Sequence, residues 1–422
     1  MIVAAVRDGR EASLRALLAS MNVRPGEVDP ANAIVPFGAF DDLHFARLVV
    51  LDDATLADLA RFGLPRPTVP LYLAFMGDCD GDAHALLRAM ARTHGDGLRR
   101  LFDHCDGLDA STDVFAWLVA HDLPVQSSYV NTRGRTVVRI REDAALQRLL
   151  SQRVARVPTT APERVRRELR AFAFAERDAG RLALTPEAPT PSGWRLADLA
   201  HLIGVPLVTL LLAPLLLLAL PFAIVLLRLA ETSDPTYSPR PRLAAVLEMQ
   251  HIEDRDLTNS FTAVGAVKPG WFRRVLLNAI LIALDYAARH VFNRGFLTRV
   301  QTIHFARWVF IDDQQRVLFA SSYDGSHESY MDDFINKVGW GLNIVFSNGF
   351  GWPRTDWLVH GGSRREMEFK HYQRGHQVPT QVWYKAYPGL TLHDLARNQR
   401  IRAGLEVESM SDGDALAWLR LL

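Results

Sequence analysis

The chain reads as an α+β protein built from two copies of one unit, with a helical, membrane-inserted segment between them. Three observations carry this. Residues 44–53, HFARLVVLDD, return at 304–313 as HFARWVFIDD, identical at seven of ten positions. In both copies, β-branched and aromatic stretches give way to apolar residues at helical spacing. Between the copies, Leu202 to Leu227 is a run of 26 residues without a charge.

The repeat continues well beyond the first match. Residues 73–107 align without a gap on residues 317–351, pairing Phe75 with Phe319, Asp80-Gly81 with Asp324-Gly325, Gly95 with Gly339, Gly97 with Gly341 and Phe102 with Phe346. Trp117-Leu118-Val119 then pairs with Trp357-Leu358-Val359, read here as a strand, and Pro124, Gln126 and Tyr129 pair with Pro379, Gln381 and Tyr384. The order is kept throughout, as one unit used twice requires.

Each unit has a readable local structure. FARWVFID, an Asp-rich turn and RVLFASS form a hairpin. Tyr330, Met331, Phe334, Ile335 and Val338 then fall at helical spacing, as Leu86, Leu87 and Met90 do in the first copy. Asp324 or Ser326 is the expected helix cap, and Asp80 shares that reading. A later strand (TQVWYKAYP, or VQSSYVN in the first copy) precedes a helix, Leu392 to Arg402 in the second. Such a unit is an open sheet with helices on one face, in the ferredoxin-like manner, and two of them cover each other's bare faces. The expected divisions are 1–150, the first repeat; 151–198, a basic helix and Pro-rich linker; 199–230, the membrane segment; 231–298, a connecting region; and 299–422, the second repeat with a C-terminal helix.

As a helix the apolar run would reach about 39 Å, enough to cross a bilayer. Pro206, Pro214 and Pro221 punctuate it, and each removes a backbone donor and bends a helix. Arg164, Arg166, Arg167, Arg170, Arg181 and Arg195 precede the run, while Arg228, Arg240 and Arg242 follow it, so both flanks read as cytoplasmic. Two repeats that need each other's face must also lie on one side. A re-entrant hairpin turning at Pro214 is therefore expected in preference to a single crossing. A second segment, Trp271 to Phe292, reads as an amphipathic helix in the membrane interface.

Composition removes several alternatives. The 48 Lys and Arg nearly balance 47 Asp and Glu, which gives nucleic acid no electrostatic footing as a partner. Cys79 and Cys105 are too few for a disulfide framework. There is no Gly-rich phosphate loop, zinc cysteine pattern, HExxH or GxSxG.

Tandem ferredoxin-like units facing each other resemble the dimeric α/β-barrel superfamily, which includes dye-decolorising peroxidases, chlorite dismutase-like haem proteins and small cofactor-free monooxygenases. The blocks HFARWVFID, SSYDGSHESYMDDFI, VKPGWFRR and VPTQVWYKAYP also resemble a bacterial membrane-associated family without an assigned activity, over residues 245 to 405. The peroxidase resemblance implies haem in the inter-repeat cavity, an acidic residue of an Asp-Gly motif and an Arg above it, and a His below. Asp324-Gly325 departs from that pattern by lacking the upstream glycine.

Six of the fourteen histidines lie in the second copy, and the connection before its last strand is enlarged to HGGSRREMEFKHYQRGHQVP. Loops added to a rigid scaffold are where function is commonly placed. His360, Arg364, Arg365, His371, Arg374 and His376 form a first candidate cluster, able to ligate iron or bind an anion, or else a solvated basic loop. His304 and His44 occupy equivalent strand positions, as do Arg307 and Arg47. Alternation sends the His and Arg sets to opposite faces, and which of them lines the inter-sheet space is open. His251 with Glu248 or Asp254 makes a metal or acid-base pair, or a solvated helix face.

These readings converge on a monotopic oxidoreductase, peroxidase-like or oxygenase-like, acting on an apolar or lipid substrate. His304, His360, His371 or His376 would ligate haem iron, with Asp324, Arg307 and Arg365 serving the chemistry. The alternative is a non-enzymatic lipid-binding or membrane-scaffolding protein whose partner is membrane lipid.

Overall fold

The computed structural model describes residues 1–157 and 161–422. The first unit runs β1 (Ile2–Ala5), α1 (Glu11–Ser20), β2 (Leu43–Leu51), β3 (Tyr72–Cys79), α2 (Ala83–Phe102), α3 (Val114–Ala120), β4 (Ser127–Val130) and α4 (Val137–Val154). Helices α5 (Pro162–Asp178), α6 (Ser192–Ser233) and α7 (Leu243–Ile252) follow. The second unit runs β5 (Thr258–Ala266), α8 (Trp271–His290), β6 (Ile303–Ile311), β7 (Arg316–Asp324), α9 (His327–Phe346), α10 (Glu366–His376), β8 (Val382–Lys385) and α11 (Leu392–Glu406), before α12 (Asp412–Leu419). The protein is α+β, with antiparallel sheets and one long apolar helix.

The duplication begins earlier than the hairpin. Strands β1 and β5 are equivalent, Val3-Ala4-Ala5-Val6 standing for Val264-Gly265-Ala266-Val267, and the glycine before each following helix has positive φ, 76° at Gly9 and 104° at Gly270. Four small apolar residues carry too little pattern to be noticed in the sequence. Even the irregularities recur: α2 and α9 are both kinked one residue before a glycine, at His94 and Val338.

Each unit lends its last strand to the other. One sheet has the order β1-β3-β2-β8 and the other β4-β6-β7-β5. Tyr384 of β8 lies opposite Ala46, and Tyr129 of β4 opposite Ala306. Gln381 Oε1 accepts from the Val50 N–H at 2.7 Å, and Gln126 Oε1 accepts from the Phe310 N–H at the same distance. The repeated Gln and Tyr are thus the two clasps of a reciprocal exchange. The expectation from sequence sets each last strand beside its own hairpin; strand periodicity identifies a strand and says nothing of its neighbour.

Val3, Val49, Leu51, Ala74 and Met76 of one sheet share an apolar layer with Val264, Ile311, Leu318 and Ala320 of the other. The arginines, left open between two faces, point into this layer. Arg307 donates to the Gly77 carbonyl at 3.0 Å and to Asp78. Arg47 donates to the Ser321 and Phe261 carbonyls, each at 3.0 Å, and to Ser322 Oγ. Its full burial, against nearby Asp78, brings its pKa down to about 10.

Two expectations need correction. The Trp-Leu-Val repeat is not a repeated strand: in the first unit it lies within α3 with Trp117 and Leu118 buried, whereas Trp357 and Leu358 sit in a turn with φ of 56° and 60°. The membrane segment does not turn back at Pro214. Residues Ser192–Ser233 form one helix of 42 residues containing all three prolines. Each proline removes one backbone donor, and the helix continues through all three.

Both ends of α6 are fastened to the protein. Near its start, Asp198 accepts from Arg133 at 3.2 Å, and His201 Nδ1 meets His290 Nε2 of α8 at 2.8 Å. Near its end, the buried Glu231 accepts from Thr355 Oγ1 and the amides of Trp357 and Leu358 at 2.8–3.1 Å. Asp234 there binds Lys268 at 2.9 Å and also Arg273 of α8.

Candidate functional site

Among the sequence-derived candidates, His304 and Asp324 do meet. His304 Nε2 lies 2.7 Å from Asp324 Oδ1, and Asp324 Oδ2 accepts from the Leu392 N–H at 2.6 Å. The first unit repeats this: His44 Nε2 lies 3.1 Å from Asp80 Oδ1, and Asp80 Oδ2 accepts from the Val137 N–H at 2.9 Å. A carboxylate only accepts, so Nε2 carries the proton in both pairs. Each aspartate therefore fastens the start of the last helix of its unit, α4 or α11, to the hairpin. It does not cap the helix that follows it, which is capped by Asp82 in α2 and Ser326 in α9. The paired histidines flank Phe45, Phe305 and Tyr387 beside a space of only about 20 Å³.

The other candidates disperse. His360 is exposed at the end of a two-residue strand, His371 is half-buried on α10, and Arg365 is exposed, 3.6 Å from Glu368. His376 is buried against Gly265, with its Nδ1 2.9 Å from the Tyr372 carbonyl, and burial lowers its pKa. Arg374 donates from one nitrogen to both oxygens of Glu253, at 2.8 and 2.9 Å. His251 is exposed, and Asp254 accepts from the His327 N–H instead. No group of three or more His, Cys, Asp or Glu is placed to hold a metal among the described residues. These residues do not fit haem as they are placed: the space beside His304 is only about 20 Å³, and the inter-sheet layer is filled with side chains.

A different site is open. Between α8, α9 and the outer face of the second sheet lies a cavity of about 270 Å³. Helix α8 contributes Ile280, Leu284 and Ala287, spaced as one helical face; α9 contributes Phe334, Val338 and Gly341; β6 and β7 contribute Trp308 and Phe319. The opposite side of α8 exposes large apolar residues among Arg274, Asn278 and Arg289: Trp271 is 68% accessible, Val275 59% and Ile282 58%. Helix α6, whose apolar stretch is not buried in the protein, meets α8 near both of its ends. Helix α8 is thus the wall between the cavity and an exposed apolar surface.

The same place in the first unit is filled by chain. Residues 32–40 cover the outer face of the first sheet, with the Phe37 ring 6.3 Å from Phe75, the counterpart of Phe319. A Cβ on Gly97 would overlap the Ile34 carbonyl oxygen, while a Cβ on its counterpart Gly341 meets nothing within 4 Å. The repeat matches the two glycines letter for letter, but letters do not record whether the space beside them is taken.

The junction of α6 and α8 is electrostatically organised. His201 Nε2 lies 3.5 Å from Asp285 and His290 Nδ1 4.0 Å from Asp198, which gives the order Asp285, His201, His290, Asp198. Burial lowers the His290 pKa, opposed by Asp198. At the other end, burial brings the Lys268 pKa down to about 8 despite Asp234.

No protein-family model, no curated protein and no solved structure matches this chain.

Proposed function

We propose that this chain is a monotopic membrane protein that lies on one side of a bilayer and takes an apolar molecule from it into the cavity under α8. The observation that carries this reading is the position of α8, lined by the cavity on one face and presenting bare apolar side chains beside α6 on the other. A helix crossing a bilayer puts its ends about 30 Å apart on opposite surfaces. Both ends of α6 are instead tied to the same unit, through His290 at one end and Lys268 and Arg273 at the other. An apolar helix so tethered lies in the membrane plane, with both units on the same side. The two βαββαβ units, exchanging strands across a shared layer, then form a ferredoxin-like pseudo-dimer whose role is to hold this surface rigid.

Binding without chemistry accounts for the site better than oxidoreduction does. The cavity wall carries none of the histidines or arginines that would serve a redox group. The His-Asp pairs recur in both units with the same helix-fastening partners, as structural elements do.

Depth measurement tests the membrane reading. A fluorescent label placed in turn at Leu207, Leu216 and Val225 of vesicle-bound protein should be quenched to similar depth at all three positions. A steep gradient of depth from one end to the other would overturn it in favour of a crossing helix.

A further inference from the structure

The cavity's counterpart in the first unit is occupied by the chain itself. There the chain supplies its own apolar cover, Val35, Phe37 and Phe40 among it. We propose that the cavity of the second unit holds a single aliphatic chain of an anionic amphiphile, with the headgroup left outside against Arg294 and Arg299. This rests on the reading of α6 and α8 as bilayer-immersed, which supplies the route.

Three features select that ligand. Of the side chains lining the cavity, only Thr298, Trp308 and Trp340 carry a polar atom, and Thr298 Oγ1 and Trp308 Nε1 are buried without a hydrogen-bond partner among the described residues. The wall carries no charged side chain, so a charged group drawn inside would lose its water without gaining a counter-charge, and the inserted part is mainly hydrocarbon. At about 270 Å³ the space falls just below the ~300–1,000 Å³ usual for small-molecule sites, which suits one chain and excludes two. The loop after α8 that contributes Phe292 and Leu297 to the wall also carries Arg294 and Arg299, both exposed and in no ion pair among the described residues. Guanidinium groups there meet a carboxylate or a phosphate equally well.

The test uses full-length protein on phosphatidylcholine vesicles carrying a small fraction of dibrominated fatty acid, dibrominated phosphatidylglycerol or dibrominated phosphatidylcholine. The Trp308 contribution is isolated by comparison with Trp308→Phe. Quenching of Trp308 by the fatty acid or by the phosphatidylglycerol is expected, and whichever quenches identifies the source of the chain. Gly341→Leu, whose new side chain enters open space, should abolish that quenching while vesicle flotation is retained; Ala283→Leu is a second filling variant should the first not fold. Arg294→Glu with Arg299→Glu should weaken quenching by the anionic probe about tenfold. Undiminished Trp308 quenching in both filling variants would overturn the proposal, and equal quenching by dibrominated phosphatidylcholine would overturn its anionic part. Loss of flotation by the unmodified protein would instead sink the membrane reading itself.

Discussion

The two units are built alike down to their His-Asp pairs, their Gln clasps and the kinks of α2 and α9, yet they part company on the outer faces of their sheets. In the first, residues 32–40 seal that face. In the second, a longer α8 stands off and leaves a cavity that borders the exposed apolar helices. The two copies keep one scaffold and differ in whether the space on the outer face of the sheet is filled by chain. The aligned letters Gly97 and Gly341 hide that difference, because a glycine is equally compatible with close approach and with empty space.

The largest effect expected from probing this contrast comes from the Trp-Leu-Val repeat. Trp117→Ala should destabilise by about 3–5 kcal/mol, the usual effect of truncating a buried aromatic, since Trp117 is 5% accessible. Trp357→Ala, at a residue 51% accessible, should change stability by less than about 1 kcal/mol. Denaturant unfolding in detergent measures both, and equal losses would mean that the two segments share a structure after all. Next comes Gly97→Leu, which forces a side chain into a backbone carbonyl and should cost about 3 kcal/mol. The equivalent Gly341→Leu should be neutral, or stabilising by up to about 1 kcal/mol through helix propensity. Similar destabilisation by both would show that the second site is filled.

The smallest effect concerns acid. His327 opens α9 where Ala83 opens α2. Burial first, then the Arg374 charge, pushes its pKa down to about 3. Its Nδ1 is 3.8 Å from Glu253, beyond hydrogen-bond reach, while Glu253 is engaged by Arg374 and Gln377. Because the folded state binds this proton less readily than the unfolded chain, the contribution to stability is complete above about pH 6.5. It is lost as the pH falls toward 3, by an amount on the order of a few kcal/mol at most. Unfolding midpoints followed from pH 7 to 4 should therefore drop less steeply in His327→Phe; superimposable curves would remove His327 as the source.

Much of the scaffold was legible because repeated letters have repeated jobs. His44 and His304 with Asp80 and Asp324 were found by alignment, and the structure shows why the pairs recur. The exchange of β4 and β8 was not legible, since Gln126 and Gln381 mark a strand end without naming its partner. Trp357-Leu358 misled for a physical reason: Glu231, which lies outside the repeat, captures their amides and imposes a left-handed turn on letters that are helical in the first unit. Pro206, Pro214 and Pro221 misled because a single proline removes only one backbone donor and need not end a long helix. The histidine-rich insertion drew notice by composition, whereas the cavity is made of ordinary apolar residues whose only unusual property is that nothing fills the space between them.

The exchanged strand also sets a timetable for synthesis. The clasp between Val50 and Gln381 closes across 331 residues, so at roughly 5–20 residues per second the edge of β2 waits ~15–70 s for its partner to leave the ribosome. Throughout that interval the first unit has an uncovered strand edge, a liability for misassociation. The apolar helix α6 emerges midway through it. On the proposed reading, its arrival at a bilayer would hold the nascent chain apart from its neighbours while the second half is made, and the membrane would serve as a chaperone for the fold.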